Sequence, residues 1–485
     1  MESGKSDEKR AESGPIAPSW WPVVAVIPIV AGMLWMWFAV KGGVLGELLS
    51  AGPGTLLLAT GLSNLLWAGD ARIFHFMSFG AVLGMLLSLP TTLVSGPWAA
   101  LLLLAGSVAS YPAAGYLALG QEPVPPEAPE PHLDLKQSYM AAGDEFSMCT
   151  IVLTTWPLWV GPRAARIGHE MDEALEMFEE NGWLAHPASY HEAPPYIEKP
   201  DTEPLRYKTW SFQRLSFESG YEPHPDEPGR DRWLSYESNR TAHAWVMQHP
   251  GEPRPWLVGL HGIRMGFARG DLLLYRPEHL YHQLGLNLLV PILPIHGPRK
   301  VGPVSGDRIL SGDVMDTIHA GAQAIWDIRR LLSWVRSQDA PAVGVVGYSL
   351  GGYTAALLAG LENEVDCVIS GNPAVDPSEL FWRNALSLTV RYLKTEGVTE
   401  EKMDALMRPV APLALPPRIT HEQRAIFCGV ADRVVPASEA ASLWRHWEEP
   451  RIHWYQGSHR GFLRTAEGEK FIEDTLRTTG VLVDR

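Results

Sequence analysis

The strongest constraint on how this chain can fold is the scarcity of charge between Trp20 and Gln121. "WWPVVAVIPIVAGMLWMWFAV" (20–40) has no Asp, Glu, Lys or Arg. Leu48–Gly69 is likewise free of them, though interrupted by Gly and Pro, and Ile73–Gln121 is free of them throughout. About 20 apolar residues cross the hydrocarbon core of a bilayer. The third stretch therefore has room for two passes that turn near "LPTTLVSGP". The reading is four transmembrane helices, at about 20–40, 48–68, 73–92 and 97–118, with three spans plus a re-entrant piece as the alternative. A signal peptide does not fit, because the first stretch is too long for an h-region and further hydrophobic stretches follow. Trp20, Trp21, Trp35 and Trp37 lie near the ends of the first span and are read as interfacial aromatics.

Charge gives an orientation. Lys5, Lys9 and Arg10 precede the first span, and the loops add only Lys41 and Arg72 as basic residues. The positive-inside rule puts the N-terminus in the cytoplasm, and an even number of spans returns the rest of the chain to that side. The expectation is an integral protein of the cell's inner membrane with a cytoplasmic catalytic domain. A net charge of −15 without a long basic run argues against nucleic acid as a partner. Three cysteines, Cys149, Cys367 and Cys428, make no disulfide framework.

The organisation follows from these shifts. Residues 1–19 read as a cytoplasmic tail and 20–120 as the transmembrane region. Residues 121–140 read as a Pro/Glu-rich linker, stiff and extended. Residues 141–204 read as a helical and loop extension, in which "GPRAARIGHEMDEALEMFEENGWL" has helical apolar spacing and packs on the domain or on the membrane surface. From about 205 to 485 apolar strands alternate with helices, which predicts an α/β domain with a mostly parallel sheet covered on both faces. "LLLYRPEHLYHQLG" is expected as one of its helices.

Within that domain Gly347-Tyr348-Ser349-Leu350-Gly351 follows a predicted strand and precedes a predicted helix. G-x-S-x-G in this setting presents a serine on a sharp turn, next to the free N–H groups of a helix start. A nucleophilic serine needs a base and a group to orient it. "CGVADRVVP" puts Asp432 just beyond one strand, and "WYQGSHRGF" puts His459 just beyond the last. Asp376 is the rival acid. His453 lies inside a strand and His421 before one, so neither is well placed. The backbone N–H groups of Leu350 and Ile263 are the candidate oxyanion donors, Ile263 coming from the loop "LHGIRMG". His261, Gly262 and Tyr348 are the candidate substrate contacts.

The motifs "LHGIRMG", "GYSLGG", "GVADRVVP" and "GSHRGF", in this order, resemble those of the α/β-hydrolase superfamily over residues 205 to 480. The resemblance implies an α/β-hydrolase fold, a Ser349–His459–Asp432 triad and an acyl-enzyme mechanism. Leu350 stands where the prolyl-peptidase branch often has an aromatic residue, which favours an esterase or lipase over a peptidase. The expected substrate is a small-molecule or lipid carboxylic ester. Acyl transfer by the same triad and a non-catalytic membrane scaffold are the alternatives. The insert 377–417 lies where such enzymes carry a lid and is read as a cap over the acyl pocket, or as an ordinary crossover.

No cofactor or metal is expected. His279 and His282 lack a supporting HExxH or Cys/His cluster, and neither a P-loop nor a GxGxxG fingerprint is present. His296, Arg299 and Lys300 read as a solvated loop, with contact to an anionic substrate group as the alternative. Oligomeric state is not legible in the sequence.

Overall fold

The computed structural model describes residues 21–155, 162–197, 199–309, 313–462 and 465–483. The expected tail with Lys5, Lys9 and Arg10, and Trp20, lie outside these.

Four helices open the described chain: α1 (Trp21–Lys41), α2 (Gly43–Leu66), α3 (Ala71–Ser95) and α4 (Pro97–Gly120). Each is long and apolar enough to cross a membrane. Only Gly96, at φ 81°, separates α3 from α4, and each of the two is a continuous helix long and apolar enough to cross a membrane. Each helix carries one internal proline, Pro28, Pro53, Pro90 and Pro112. Spans tolerate this because neighbouring helices and hydroxyl side chains satisfy the freed backbone groups. Small residues allow the helices to approach closely. At Gly84 of α3 a Cβ would lie 2.3 Å from Ser107 Oγ of α4, and that hydroxyl accepts the indole N–H of Trp35 in α1 at 3.0 Å. Trp35 is thus fully buried inside the bundle and is not the interfacial aromatic expected from its position in the sequence. Trp37 is 59% exposed, with the Lys41 ammonium over its ring.

The Pro/Glu-rich segment after α4 has no helix or strand of its own, but it is pinned along its length. Glu122 meets Arg383 and Arg433, Glu127 meets Arg445, and the His132 N–H donates to Gln456. Helix α5 (Leu135–Thr155) packs on α3 and α4. Helix α6 (Pro162–Glu180) buries Ile167, Met171 and Phe178 in the core of the α/β domain, so its apolar stripe faces protein and not the membrane surface.

The α/β domain is built on nine strands: β1 (Asp201–Tyr207), β2 (Trp210–Glu218), β3 (Thr241–Met247), β4 (Trp256–Leu260), β5 (Asn287–Ile292), β6 (Val343–Tyr348), β7 (Cys367–Gly371), β8 (Arg424–Gly429) and β9 (Arg451–Tyr455). Their order in the sheet is β1-β2-β3-β5-β4-β6-β7-β8-β9. The first four in this order pair antiparallel and the rest parallel. The central strands are buried along their whole length, as parallel strands covered on both faces must be. The exposed edge strand β1 carries Pro204 and charged residues, which discourage further pairing.

Side chains of adjacent strand residues enter opposite layers. Val258 and Val345 pack with helices α6, α9 (Val314–Arg336), α10 (Leu350–Ala359) and α13 (Glu400–Met407). Leu257 and Val346 pack with α8 (Ala268–Leu274) and α15 (Ala466–Thr478) on the other face. Each fully buried side chain of this size contributes ~1.5–3 kcal/mol.

The stretch expected as one helix around 272–285 is divided. Helix α8 stops at Leu274, Arg276 has φ 41°, and after Pro277 a separate π-helical turn spans Glu278–Gln283. Residue 276 precedes a proline and is sterically discouraged from helical dihedrals, which explains the break. The insert between β7 and β8 forms three short helices, α11 (Pro377–Asn384), α12 (Ser387–Thr395) and α13. Helix α14 (Ala437–His446) follows β8, and the short α7 (Arg230–Leu234) lies between β2 and β3. A mostly parallel sheet in this strand order, with helices on both faces, is the α/β-hydrolase fold, here preceded by four long apolar helices.

Candidate active site

Strand β6 ends in a turn so tight that only glycines fit around Ser349. A Cβ at Gly347 would sit 1.9 Å from Gly351 O, and one at Gly351 would sit 1.8 Å from Leu260 O. Ser349 has φ 59° and ψ −119°, a strained conformation for a residue with a side chain. Its N–H donates to Gly371 O at 2.8 Å, which ties the turn to β7.

Two loops at the ends of β8 and β9 meet this turn. His459 Nε2 lies 3.0 Å from Ser349 Oγ, and His459 Nδ1 lies 2.6 Å from Asp432 Oδ2. An ionised carboxylate only accepts, so Nδ1 carries the proton and Nε2 is left to accept the serine O–H. The other Asp432 oxygen accepts the N–H groups of Val434 and Val435 at 2.9 and 2.8 Å. Burial alone would lower the His459 pKa, but the Asp432 carboxylate outweighs it and raises the group above its ordinary value of 6.5.

Two supports were not legible in the sequence. Asn372, at the end of β7, donates to Asp432 Oδ2 at 2.7 Å and to Tyr455 Oη at 3.0 Å. Asp144 of α5 accepts the backbone N–H of His459 at 2.9 Å and that of Arg433 at 3.3 Å. Its carboxyl is pushed up to about 7 by burial and by the nearby charge of Asp432. The adjacent Glu145 binds the Arg433 side chain at 2.7 Å and also contacts His75 of α3. One helix thus holds both loops that carry His459 and Asp432, and it bonds to α3, one of the four long apolar helices. An acidic pair placed more than two hundred residues before Ser349 leaves no local signal of this role.

Ser349 opens onto a cavity of about 230 Å³ whose walls are overwhelmingly apolar. Leu350 and Ile263 line it beside Ser349. Met148, Ile151 and Val152 of α5 form one wall, and Leu380, Phe381 and Leu386 of the insert form another.

The remaining sequence candidates fall elsewhere. His261 does not line the cavity: it is fully buried, Nδ1 bonds Gly262 O at 2.9 Å, and Nε2 accepts the Leu293 N–H at 3.1 Å. It ties the loop after β4 to the end of β5. Gly262 lies against the Ser349 turn, where a Cβ would be 3.5 Å from the Ser349 Cβ. Tyr348 is buried with its ring 5.3 Å from the His459 ring, outside the cavity lining. The Asp376 side chain accepts the Glu379 N–H at 2.9 Å and caps α11. His453 bonds Glu467 and His421 bonds Glu448 O. Arg299 is not in a solvated loop. It is fully buried and ion-paired with Asp327 at 2.9 Å. His296 beside it is fully buried too, its pKa pushed down by burial to about 3. Among the described residues, no group of three or more His, Cys, Asp or Glu side chains is placed to hold a metal ion.

Residues 312–462, which include all three residues of the Ser–His–Asp chain, match the Uncharacterised protein family UPF0227. In overall fold the chain is similar to an acetyl xylan esterase from Paenibacillus sp. R4 (TM-score 0.43, 16% identity, 62% of this chain and 99% of that one). It is also similar to the acylaminoacyl peptidase of Pyrococcus horikoshii (TM-score 0.36, 12% identity, 57% of this chain and 41% of that one). The proteins Rv2627c and MT2702 of Mycobacterium tuberculosis, both described as uncharacterized, are 41% identical to it over 319 residues, 65% of this chain and 76% of each of theirs. The chain therefore belongs to the same family as these two mycobacterial proteins, and its own sheet and elbow are those of the α/β-hydrolase fold.

Proposed function

We propose that this chain is a membrane-anchored serine hydrolase that cleaves a carboxylic ester bearing an apolar acyl group. The observation that carries the reading is the hydrogen-bonded series Ser349–His459–Asp432 at the wall of an apolar cavity. Ser349 Oγ attacks the ester carbonyl carbon while His459 Nε2 takes the hydroxyl proton. The tetrahedral oxyanion lies by the N–H groups of Leu350 and Ile263. It collapses with loss of the alcohol, which receives the proton from His459 and leaves Ser349 acylated. Water, deprotonated by His459, then attacks the acyl carbon and releases the carboxylic acid and free Ser349. Asp432 holds the imidazole in the required tautomer and stabilises the imidazolium. Insert 377–417 serves as the cap over the acyl group. The four spans anchor the enzyme in the inner membrane, with the catalytic domain in the cytoplasm.

The test is labelling of the purified protein with a fluorophosphonate probe. Attachment at Ser349, absent in Ser349→Ala, together with turnover of p-nitrophenyl butyrate, supports the reading. No labelling and no cleavage of any ester or thioester would replace it with a non-catalytic scaffold.

A further inference from the structure

We infer that the substrate is a lipid ester resident in the bilayer, whose acyl chain passes from the membrane into the cavity between α5 and the insert; this rests on the hydrolase reading above. Helix α5 packs against one end of the span bundle. A Cβ at Gly115 of α4 would sit 1.9 Å from Ser138 O of α5, and Phe146 of α5 stacks on Phe79 of α3 at 6.0 Å. At 1.5 Å per residue, both contacts lie within roughly 12 Å of the helix ends, Gly120 and Ala71. The next turn of α5, Met148 to Val152, lines the cavity with Ser349.

The opposite wall rests on the same end of the bundle. Arg72, at the start of α3, donates to Ala385 O at 3.2 Å, and His75 bonds Asn384 at 2.8 Å. Asn384 and Ala385 both line the cavity. Two walls of the acyl site are therefore docked on the end of a membrane-spanning helix.

The flanks of these walls are apolar and uncovered. Leu388, 73% exposed, lies between the lining residues Leu386 and Thr389, and Leu153, 38% exposed, follows the lining residue Val152. Neither lines the cavity itself. Exposed leucines beside the end of a span bundle suit contact with lipid. An acyl chain that crosses water loses about fourfold in partitioning for each exposed methylene. A route along these leucines avoids that loss, whereas a short soluble ester does not need it.

The full-length protein is tested in vesicles of ether-linked phosphatidylcholine, which has no carboxylic ester to cleave. One substrate, 4-methylumbelliferyl oleate, is incorporated in the vesicle, and another, p-nitrophenyl butyrate, is supplied in solution. The expected result is that Leu153→Gln lowers oleate turnover tenfold or more and changes butyrate turnover less than twofold. Equal loss of both, or loss of neither, overturns the inference. Wild-type protein that cleaves butyrate but not the vesicle ester also overturns it and leaves the hydrolase reading standing. Cleavage of neither substrate, with no probe attachment at Ser349, removes the hydrolase reading itself.

Discussion

Asp144, on a helix packed against the apolar helices α3 and α4, accepts the backbone N–H of His459 at 2.9 Å, 315 residues away in the chain. The same carboxylate oxygen takes the N–H of Arg433, next to Asp432. This helix thus sets the position of the base relative to Ser349 without touching the serine. Misplacement of a catalytic group by 1 Å costs up to ~10²-fold in rate. Asp144→Ala is expected to lower kcat by ~10–10²-fold with little change in KM for a short ester. Asp144→Asn keeps an acceptor and is expected to retain most of the activity near pH 8. Steady-state kinetics on both variants check this, and equal damage from both would contradict it.

The pH dependence has a definite sign. His459 acts as a base only when neutral, and its pKa is raised above 6.5 by Asp432 and, more weakly, by Asp144. The acid limb of kcat/KM is expected above pH 6.5, activity being lost as pH falls through it. Removing the Asp144 charge by Asp144→Asn should move that limb down. A pH–rate profile that shifts upward would refute this electrostatic reading.

The two carboxylates considered for the acid separate cleanly. Ser349→Ala and His459→Ala should each cost on the order of 10⁴–10⁶ in kcat, and Asp432→Ala somewhat less, with double variants adding little because the residues act as a unit. Asp376→Ala should leave turnover nearly unchanged and destabilise α11 by about 1 kcal/mol, the usual worth of an N-cap. Thermal melts and p-nitrophenyl butyrate kinetics on the same preparations read both quantities.

The elbow glycines should tolerate nothing larger. Gly351→Ala would drive a methyl into Leu260 O, a backbone atom that cannot move without displacing β4. The expected outcome is loss of probe labelling at Ser349 and a melting temperature lowered by several degrees. Wild-type labelling in this variant would show that the turn relaxes.

Membrane integration is expected to survive carbonate extraction, because the charge-poor spans lose their apolar environment if removed from lipid. With a cytoplasmic catalytic domain, externally added protease should leave that domain uncut in intact spheroplasts and degrade it after lysis. Cleavage in intact spheroplasts would reverse the orientation.

What the sequence determined by itself is what local physics dictates. A helix of apolar residues satisfies its own backbone in lipid, so charge-free length alone marked α1 to α4, whatever they pack against. Likewise Gly347, Ser349 and Gly351 sit within five residues, and a tight strand-to-helix turn needs those residue types regardless of the rest of the molecule. Tertiary structure decided the contacts that join distant segments. Trp35 looked like an interfacial aromatic until Gly84 and Ser107, from two other helices, enclosed it. Arg299 looked solvated until Asp327, on α9, offered a buried partner. His261 looked like a substrate contact until the end of β5 occupied its second nitrogen. Asp144 has no motif at all, because its place beside His459 comes from the packing of α5 on α3 and α4. That close packing depends on small residues such as Gly115, whose consequence appears only when a second helix is laid against it.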